Sequence, residues 1–201
     1  MLDKKINNFL NPLLFHIAEI INKLKISANF VTLLSFLSGL VCFCYIIDSN
    51  FMLALIFFFF NRLFDGLDGA VARINGQSDL GAFYDIVSDF FFYALFPLGF
   101  IFQNIENTYS ICFLLLSFVT TQTTFLASAW ILEKNKSVIL LEHKKSFFYI
   151  GGLTEGFETI ICFILMLIFN DIVNIIAYIF GTLCFLTALF RICFIRKMFL
   201  K

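Results

Sequence analysis

Six long apolar stretches separated by short polar breaks make up most of this chain, at about 28–48, 51–73, 80–103, 109–132, 148–169 and 172–195. Each holds roughly 20 residues or more, the length of helix that crosses ~30 Å of hydrocarbon. The breaks at 48–51, 74–79, 104–108 and 170–171 leave room only for a reversal, so consecutive helices are predicted to run antiparallel. The loop over 133–147 is longer and charged. The first 25 residues follow a different pattern. Ile6, Phe9, Leu10, Leu13, Leu14, Ile17, Ile20 and Ile21 recur there at helical spacing, with Lys4, Lys5, Lys23 and Lys25 on the other faces. That predicts an amphipathic helix lying on the membrane surface, and no cleavable signal peptide. The expected fold is all-α integral membrane, with six transmembrane helices plus an N-terminal amphipathic surface helix. In domain terms this is a juxtamembrane helix over 1–25 and a six-helix domain over 26–201. Pro97 should kink the third span, and Pro12 should kink or break the surface helix.

The basic residues set the expected orientation. With six spans, the N-terminus, the 73–79 turn, the 133–147 loop and the C-terminus share one side. That side holds Lys4, Lys5, Lys23, Lys25, Arg73, Lys134, Lys136, Lys144, Lys145, Arg196, Lys197 and Lys201. The opposite turns hold Asp48, Glu106 and Asp171 and neither Lys nor Arg. Both termini are therefore expected in the cytoplasm. Composition agrees with a membrane chain: 61% of residues are hydrophobic, 31 of them Phe, which excludes an ordinary soluble domain. The 14 basic residues are balanced by 14 acidic ones, so no nucleic-acid partner is expected. All six cysteines lie in apolar spans without a CxxC pair and read as small fillers; His16 and His143 are isolated, and no zinc site is seen.

Against this background the run DGLDGAVARINGQSDLGAFYDIVSD stands out. Asp65 and Asp68 are three apart, and Asp85 and Asp89 four apart, so each pair shares a helix face. As a hairpin turning at 74–79, the second and third spans bring all four acids to similar depth, about 6–12 Å below the helix ends at 1.5 Å per residue. Carboxylates there are expensive and repel one another, and a hard divalent ion such as Mg²⁺ or Mn²⁺ removes the conflict. Gly66 and Gly69 leave backbone exposed where a flat or bulky ligand can approach, and Ala72 keeps that face small. Arg73 ends the helix where a phosphate can accept two hydrogen bonds from its guanidinium. A metal and an arginine beside small residues suit a diphosphate. A single intramembrane Asp reads equally well as a helix–helix hydrogen bond, but four at this spacing do not. Asp79 reads as a cap of the third span. Arg62, three residues before Asp65, either neutralises the cluster or is structural, and the sequence leaves both open.

The same run resembles the signature of the CDP-alcohol phosphatidyltransferases, D-x2-D-G-x2-A-R-x(7 or 8)-G-x3-D-x3-D. Here it stands as Asp65, Asp68, Gly69, Ala72, Arg73, Gly81, Asp85 and Asp89, with the seven-residue spacer. The resemblance implies an enzyme of phospholipid biosynthesis, a transferase in the bacterial inner membrane. A phosphatidyl group would pass from a CDP-linked lipid, of the CDP-diacylglycerol type, to a small or lipid alcohol with release of CMP. It further implies that Asp65, Asp68 and Asp85 bind metal, and that Asp89 completes a second metal site and acts as catalytic base. Two ions, Mg²⁺ or Mn²⁺, would be held. Gly69, Ala72 and Arg73 would line the nucleotide pocket, and a homodimer is expected. A second stretch, Ser27-Ala28-Asn29-Phe30-Val31-Thr32, resembles the TPNxxT-like start of the family's first span, with Ala28 in place of proline. Asn29 and Thr32 are then nucleotide-binding residues. Equally, Ser27 or Asn29 is an ordinary helix cap.

The fifth span opens with GGLTEGFET, which resembles a bacterial inner-membrane branch of the family. Glu155 and Glu158 form a second i, i+3 acidic pair entering apolar territory. Either they line the acceptor pocket and disfavour a strongly anionic alcohol, or they pair with Arg62, Arg191 or a lysine. Two other classes of function compete with the transferase. One is a divalent-cation transporter, which carboxylates near a bundle axis would suit but which gives no reason for GxxAR. The other is a catalytically silent membrane scaffold, whose mark would be a lost ligand; none is lost here.

Overall fold

The computed structural model describes residues 2–135, 154 and 156–199, and every regular element among them is helical. In chain order these are α1 (Leu2–Lys23), α2 (Ala28–Ile47), α3 (Phe51–Asn75), α4 (Asp79–Gln103), α5 (Thr108–Lys134), α6 (Gly156–Ile168) and α7 (Val173–Phe199). Short 3₁₀ turns, Ile105–Asn107 and Asn170–Ile172, precede α5 and α7. The chain forms two compact units, Met1–Ile105 and Glu106–Lys201.

Side-chain caps set three of the helix starts by satisfying a free N–H. Ser27 accepts from Phe30 N at 3.3 Å, Asn50 from Leu53 N at 3.3 Å and Ser78 from Gly81 N at 3.1 Å. The cap of α4 is therefore Ser78 and not Asp79, which instead sits in the first turn, where a carboxylate favours the helix dipole. Gly76, at φ +95°, turns the chain out of α3 with a backbone conformation that costs other residues. α1 runs through Pro12 and α4 through Pro97 as single helices, so the break considered at Pro12 does not form.

Among the described residues, four helices are long and apolar enough to cross a membrane: α2, α4, and α5 and α7 with their preceding turns. The six expected spans differ at two places. α3 has the length, 25 residues, but carries Arg62 near its middle and Asp65, Asp68 and Arg73 in its C-terminal half. α6 spans 13 described residues, and most of the expected span before it, 148–153 and 155, lies outside the described part.

In the first unit α2 packs on α3 and α4. The core is a ladder of phenylalanines: Phe58 meets Phe92 and Phe96 at 6.1 and 5.6 Å between centroids, and Phe96 meets Phe100 at 5.8 Å. Such pairs contribute about 0.5–1.5 kcal/mol beyond burial. The small residues of α2 face inward. A Cβ on Gly39 would sit 2.7 Å from the Phe92 ring, and Ser35 is buried against Asn61 of α3. α1 lies along the C-terminal half of α3. Its Leu14, Ala18 and Ile21 pack with Ala70, Val71 and Ile74, and Leu14 Cδ1 lies 3.2 Å from where a Cβ on Gly66 would stand.

In the second unit α5 packs on α7. Gly181 leaves room for the Phe113 ring, 2.9 Å from a would-be Cβ, and Phe118 meets Phe163 and Phe180 at 6.1 Å each. Buried polar contacts complete the packing. Ser110 Oγ bonds Asn174 Oδ1, and Thr154 and Thr187 bond through their hydroxyls at 3.0 Å.

Two stability outcomes follow. Gly39→Val overpacks the Phe92 contact and should cost about 1–3 kcal/mol, read as a lowered unfolding midpoint in detergent. Leu37→Ala, on the exposed face of α2, should leave the midpoint nearly unchanged; equal losses would contradict this packing. Gly66→Val should also destabilise, by about 1–2 kcal/mol, and Leu14→Ala in the same chain should recover much of that loss. Purely additive losses would mean that α1 does not dock on Gly66.

Candidate active site

The α3–α4 hairpin carries the acids on facing helices, Asp65 and Asp68 on α3, Asp85 and Asp89 on α4. Carboxylate oxygens of Asp65, Asp85 and Asp89 all lie within 4.8 Å of one another, and each of these residues is half-buried. Asp68 stands beside this trio rather than in it. It is 3% exposed, and its Oδ2 has no hydrogen-bond partner. The other surroundings of that carboxylate include Thr32 of α2 and the Gly69 backbone N–H. An orphaned carboxylate oxygen this deep costs more than the ~1–3 kcal/mol of a neutral group. Together with the trio it forms a hard, all-oxygen donor set, the kind that suits Mg²⁺ or Mn²⁺.

Arg62 answers the question that its spacing left open. One turn before Asp65 on α3, its Nη2 donates to Asp89 Oδ1 at 3.0 Å and its Nη1 lies 3.5 Å from Asp65 Oδ2. It neutralises part of the cluster, and it links α3 to α4 in doing so. Its Nε donates to Asn61 Oδ1 at 2.8 Å, and Nη1 donates to the Tyr93 hydroxyl at 3.4 Å. Asn61 and Tyr93 were not singled out from the sequence. The available signal was an Asn inside the FFFFN run and a Tyr one turn beyond Asp89, both polar groups in apolar spans.

The residues expected at a nucleotide divide between two helices that the fold brings together. Gly69, Ala72 and Arg73 lie on the last turns of α3, where a Cβ on Gly69 would sit 3.5 Å from Arg73 Nη1. Asn29 and Thr32 lie on the first turns of α2. Ser27 is the cap there, so Asn29 is not, and Asn29 Oδ1 sits 3.3 Å from where a Cβ on the signature Gly81 would be. Ala28 occupies the first helical position, where proline would also fit, so its presence does not disturb the start of α2. Gly66, in contrast, is not the open approach its small size suggested, because Leu14 of α1 packs there.

The acidic pair of the fifth span is placed only in part. Glu158 is half-buried in the first turn of α6, and Glu155 lies outside the described residues, as do Lys136, Lys144, Lys145 and His143. Arg191 is buried in the second unit. Its Nη1 donates to Thr121 O at 2.8 Å and Thr124 Oγ1 at 3.2 Å, and its guanidinium lies over Phe125 at 5.4 Å.

Comparison with known proteins bears on the same hairpin. The "Inner membrane protein YnjF" of Escherichia coli (strain K12) is 39% identical over 193 residues, covering 96% of this chain and 94% of that one. The fold is shared with a Mycobacterium tuberculosis phosphatidylinositol phosphate synthase (PgsA1), solved with CDP-DAG bound. The TM-score is 0.66 at 18% identity, over 90% of this chain and 92% of that one. At that identity the likeness shows the fold alone. The CDP-alcohol phosphatidyltransferase model matches residues 25–190, a range that contains α2 to α6, most of α7 and the whole carboxylate hairpin; the chain belongs to that family.

Proposed function

We propose that this enzyme transfers a phosphatidyl group from CDP-diacylglycerol, or a close CDP-linked lipid, to an alcohol and releases CMP. The observation that carries this reading is the clustering of Asp65, Asp85 and Asp89 within 4.8 Å beside the orphaned Oδ2 of buried Asp68. Asp65, Asp68 and Asp85 would hold Mg²⁺ or Mn²⁺, with Asp89 completing a second ion's site. Bound there, such ions supply charge neutralisation for the donor diphosphate. The alcohol oxygen attacks the lipid-side phosphorus, the bond to the CMP oxygen breaks, and Asp89 takes the alcohol proton. Gly69, Ala72 and Arg73, with Asn29 and Thr32 across from them, would hold the nucleotide end. The PgsA1 neighbour, with CDP-DAG bound, supports this choice of donor.

A site sunk into one leaflet suits a lipid donor, whose head descends from water while its acyl chains enter sideways between helices. With α3 and α6 counted as spans, the chain crosses six times with both termini in the cytoplasm, as the segregation of Lys and Arg supports. The inner-membrane relative supports a bacterial inner-membrane location. In domain terms, α1 serves as a juxtamembrane helix on a six-helix body. The homodimer rests on the resemblance, and Ser35 and Gly39 are already used for packing within the chain.

Purified protein given CDP-diacylglycerol, Mg²⁺ or Mn²⁺ and a panel of alcohols should release CMP and form a phospholipid identifiable by mass spectrometry, and chelation should stop it. Asp89→Asn should lower the rate by about 10²–10⁴-fold while the protein stays folded. Full activity in that variant would remove Asp89 as the base. Mn²⁺ uptake into proteoliposomes without CMP release would favour transport, and the absence of both would favour the scaffold.

For the acceptor, Glu155 and Glu158 are assigned to its pocket. Glu158→Gln and Glu155→Gln should change the acceptor KM by about tenfold and leave the donor KM unchanged. An unchanged acceptor KM would sink the assignment.

A further inference from the structure

Arg62 lies outside the family signature, yet it is more firmly held than any other charged group at the site. Its side chain is 11% exposed, and its guanidinium lies 5.0 and 5.5 Å from the Phe92 and Tyr93 ring centroids. Behind it, Asn61 is fixed in turn. Its Nδ2 donates to Ser35 O at 2.8 Å and to Ser35 Oγ at 3.1 Å, while Ser35 Oγ donates to Asn61 O at 2.9 Å. A relay thus runs from Ser35 on α2, through Asn61 and Arg62 on α3, to Asp89 on α4.

We propose that Arg62 is a positioning residue: a built-in counter-ion that holds the Asp89 and Asp65 carboxylates in register and tempers the site's affinity for divalent cations. The catalytic part of this rests on the phosphotransferase reading; the cation-binding part does not. Carboxylates within 4.8 Å of one another repel, and a fixed cation offsets that repulsion between turnovers. A planar guanidinium suits the task, because one fork reaches acids on two helices while Nε stays on Asn61. The same positive charge opposes an incoming cation. Arg62 therefore has two effects of opposite sign, better geometry for Asp89 and weaker cation binding, and a merely structural residue would not show both.

The test uses the full chain in detergent, with Mn²⁺ alone as the binding probe. Arg62→Gln should bind Mn²⁺ about tenfold or more tightly than wild type, since a nearby positive charge is gone. Its kcat for CMP release should fall about 10²-fold, the scale of a misplaced catalytic group, with the donor KM within about twofold. Its unfolding midpoint without metal should drop, and Mn²⁺ should restore more of it than in wild type. Arg62→Lys keeps the charge but loses the fork, so Mn²⁺ affinity should stay within about threefold while kcat falls about tenfold. Should Arg62→Gln fail to fold, Arg62→Lys and Ser35→Ala carry the test, the latter lowering kcat about tenfold by loosening Asn61. Weaker Mn²⁺ binding in Arg62→Gln, or wild-type kcat in both Arg62→Lys and Ser35→Ala, overturns the proposal. A wild-type protein that releases no CMP from any donor fails the functional reading instead, and the Mn²⁺ titration still judges Arg62.

Discussion

Like charges gathered in an apolar hairpin are the constraint on which the first unit depends. Three carboxylates meet within 4.8 Å, and a fourth lies buried beside them with an oxygen unpartnered. Against those four acids stands Arg62, so the nominal balance is 4 − 1, or three negative charges in excess. With Asp68 buried and the other three half-buried, desolvation makes each of these charges dearer. The surrounding structure answers with rigidity. α2 contributes Ser35 and Gly39 so that Asn61 and the Phe92 ring can come close, and Asn61 then holds the guanidinium. A packing detail on α2 and the charge balance on α4 are thus parts of one arrangement.

The Phe-rich composition takes a definite form in this light. Without a hydrophobic force between helices inside lipid, close van der Waals fit and a few polar links must bind them. In the first unit, tilted and edge-on rings of Phe58, Phe92, Phe96 and Phe100 supply the fit, and the Ser35–Asn61 pair supplies the link. In the second unit the same solution recurs with different residues. Gly181 admits Phe113, while Thr121 and Thr124 receive Arg191. Both units set an arginine against an aromatic ring, and in the first that arginine reaches two of the signature acids.

What the sequence makes legible depends on range. Helix identity and reversal follow from local rules, so α2 to α5 and α7 lie close to the apolar runs, and the turn at 74–79 forms with Gly76 in it. The two pairs of aspartates are equally local, since spacings of three and four decide a face. Details that need a partner were not legible. Asp68 stands beside the trio because its surroundings include Thr32 from another helix, and Gly66 is closed by Leu14 from α1, some fifty residues earlier. The cap of α4 is illegible for a simpler reason: Ser78 and Asp79 are both good caps, and only backbone geometry separates them. Asn61 is equally illegible, because one amide in a run of phenylalanines has no meaning without Ser35 opposite it.

α1 extends the same logic to the membrane surface. Of the apolar stripe expected on the membrane surface, Leu13 and Ile20 are exposed. Leu14, Ala18 and Ile21 instead pack on the half of α3 that carries Asp65 and Asp68. The half of α3 that lipid would tolerate least is thereby covered by an amphipathic helix on one side and by α2 and α4 on the others. Glycine at position 66 and alanine at position 70 let that cover come close without displacing Asp68 between them. Neighbouring helices thus form much of the surroundings of this charged half of α3, which is what keeps its carboxylates in place.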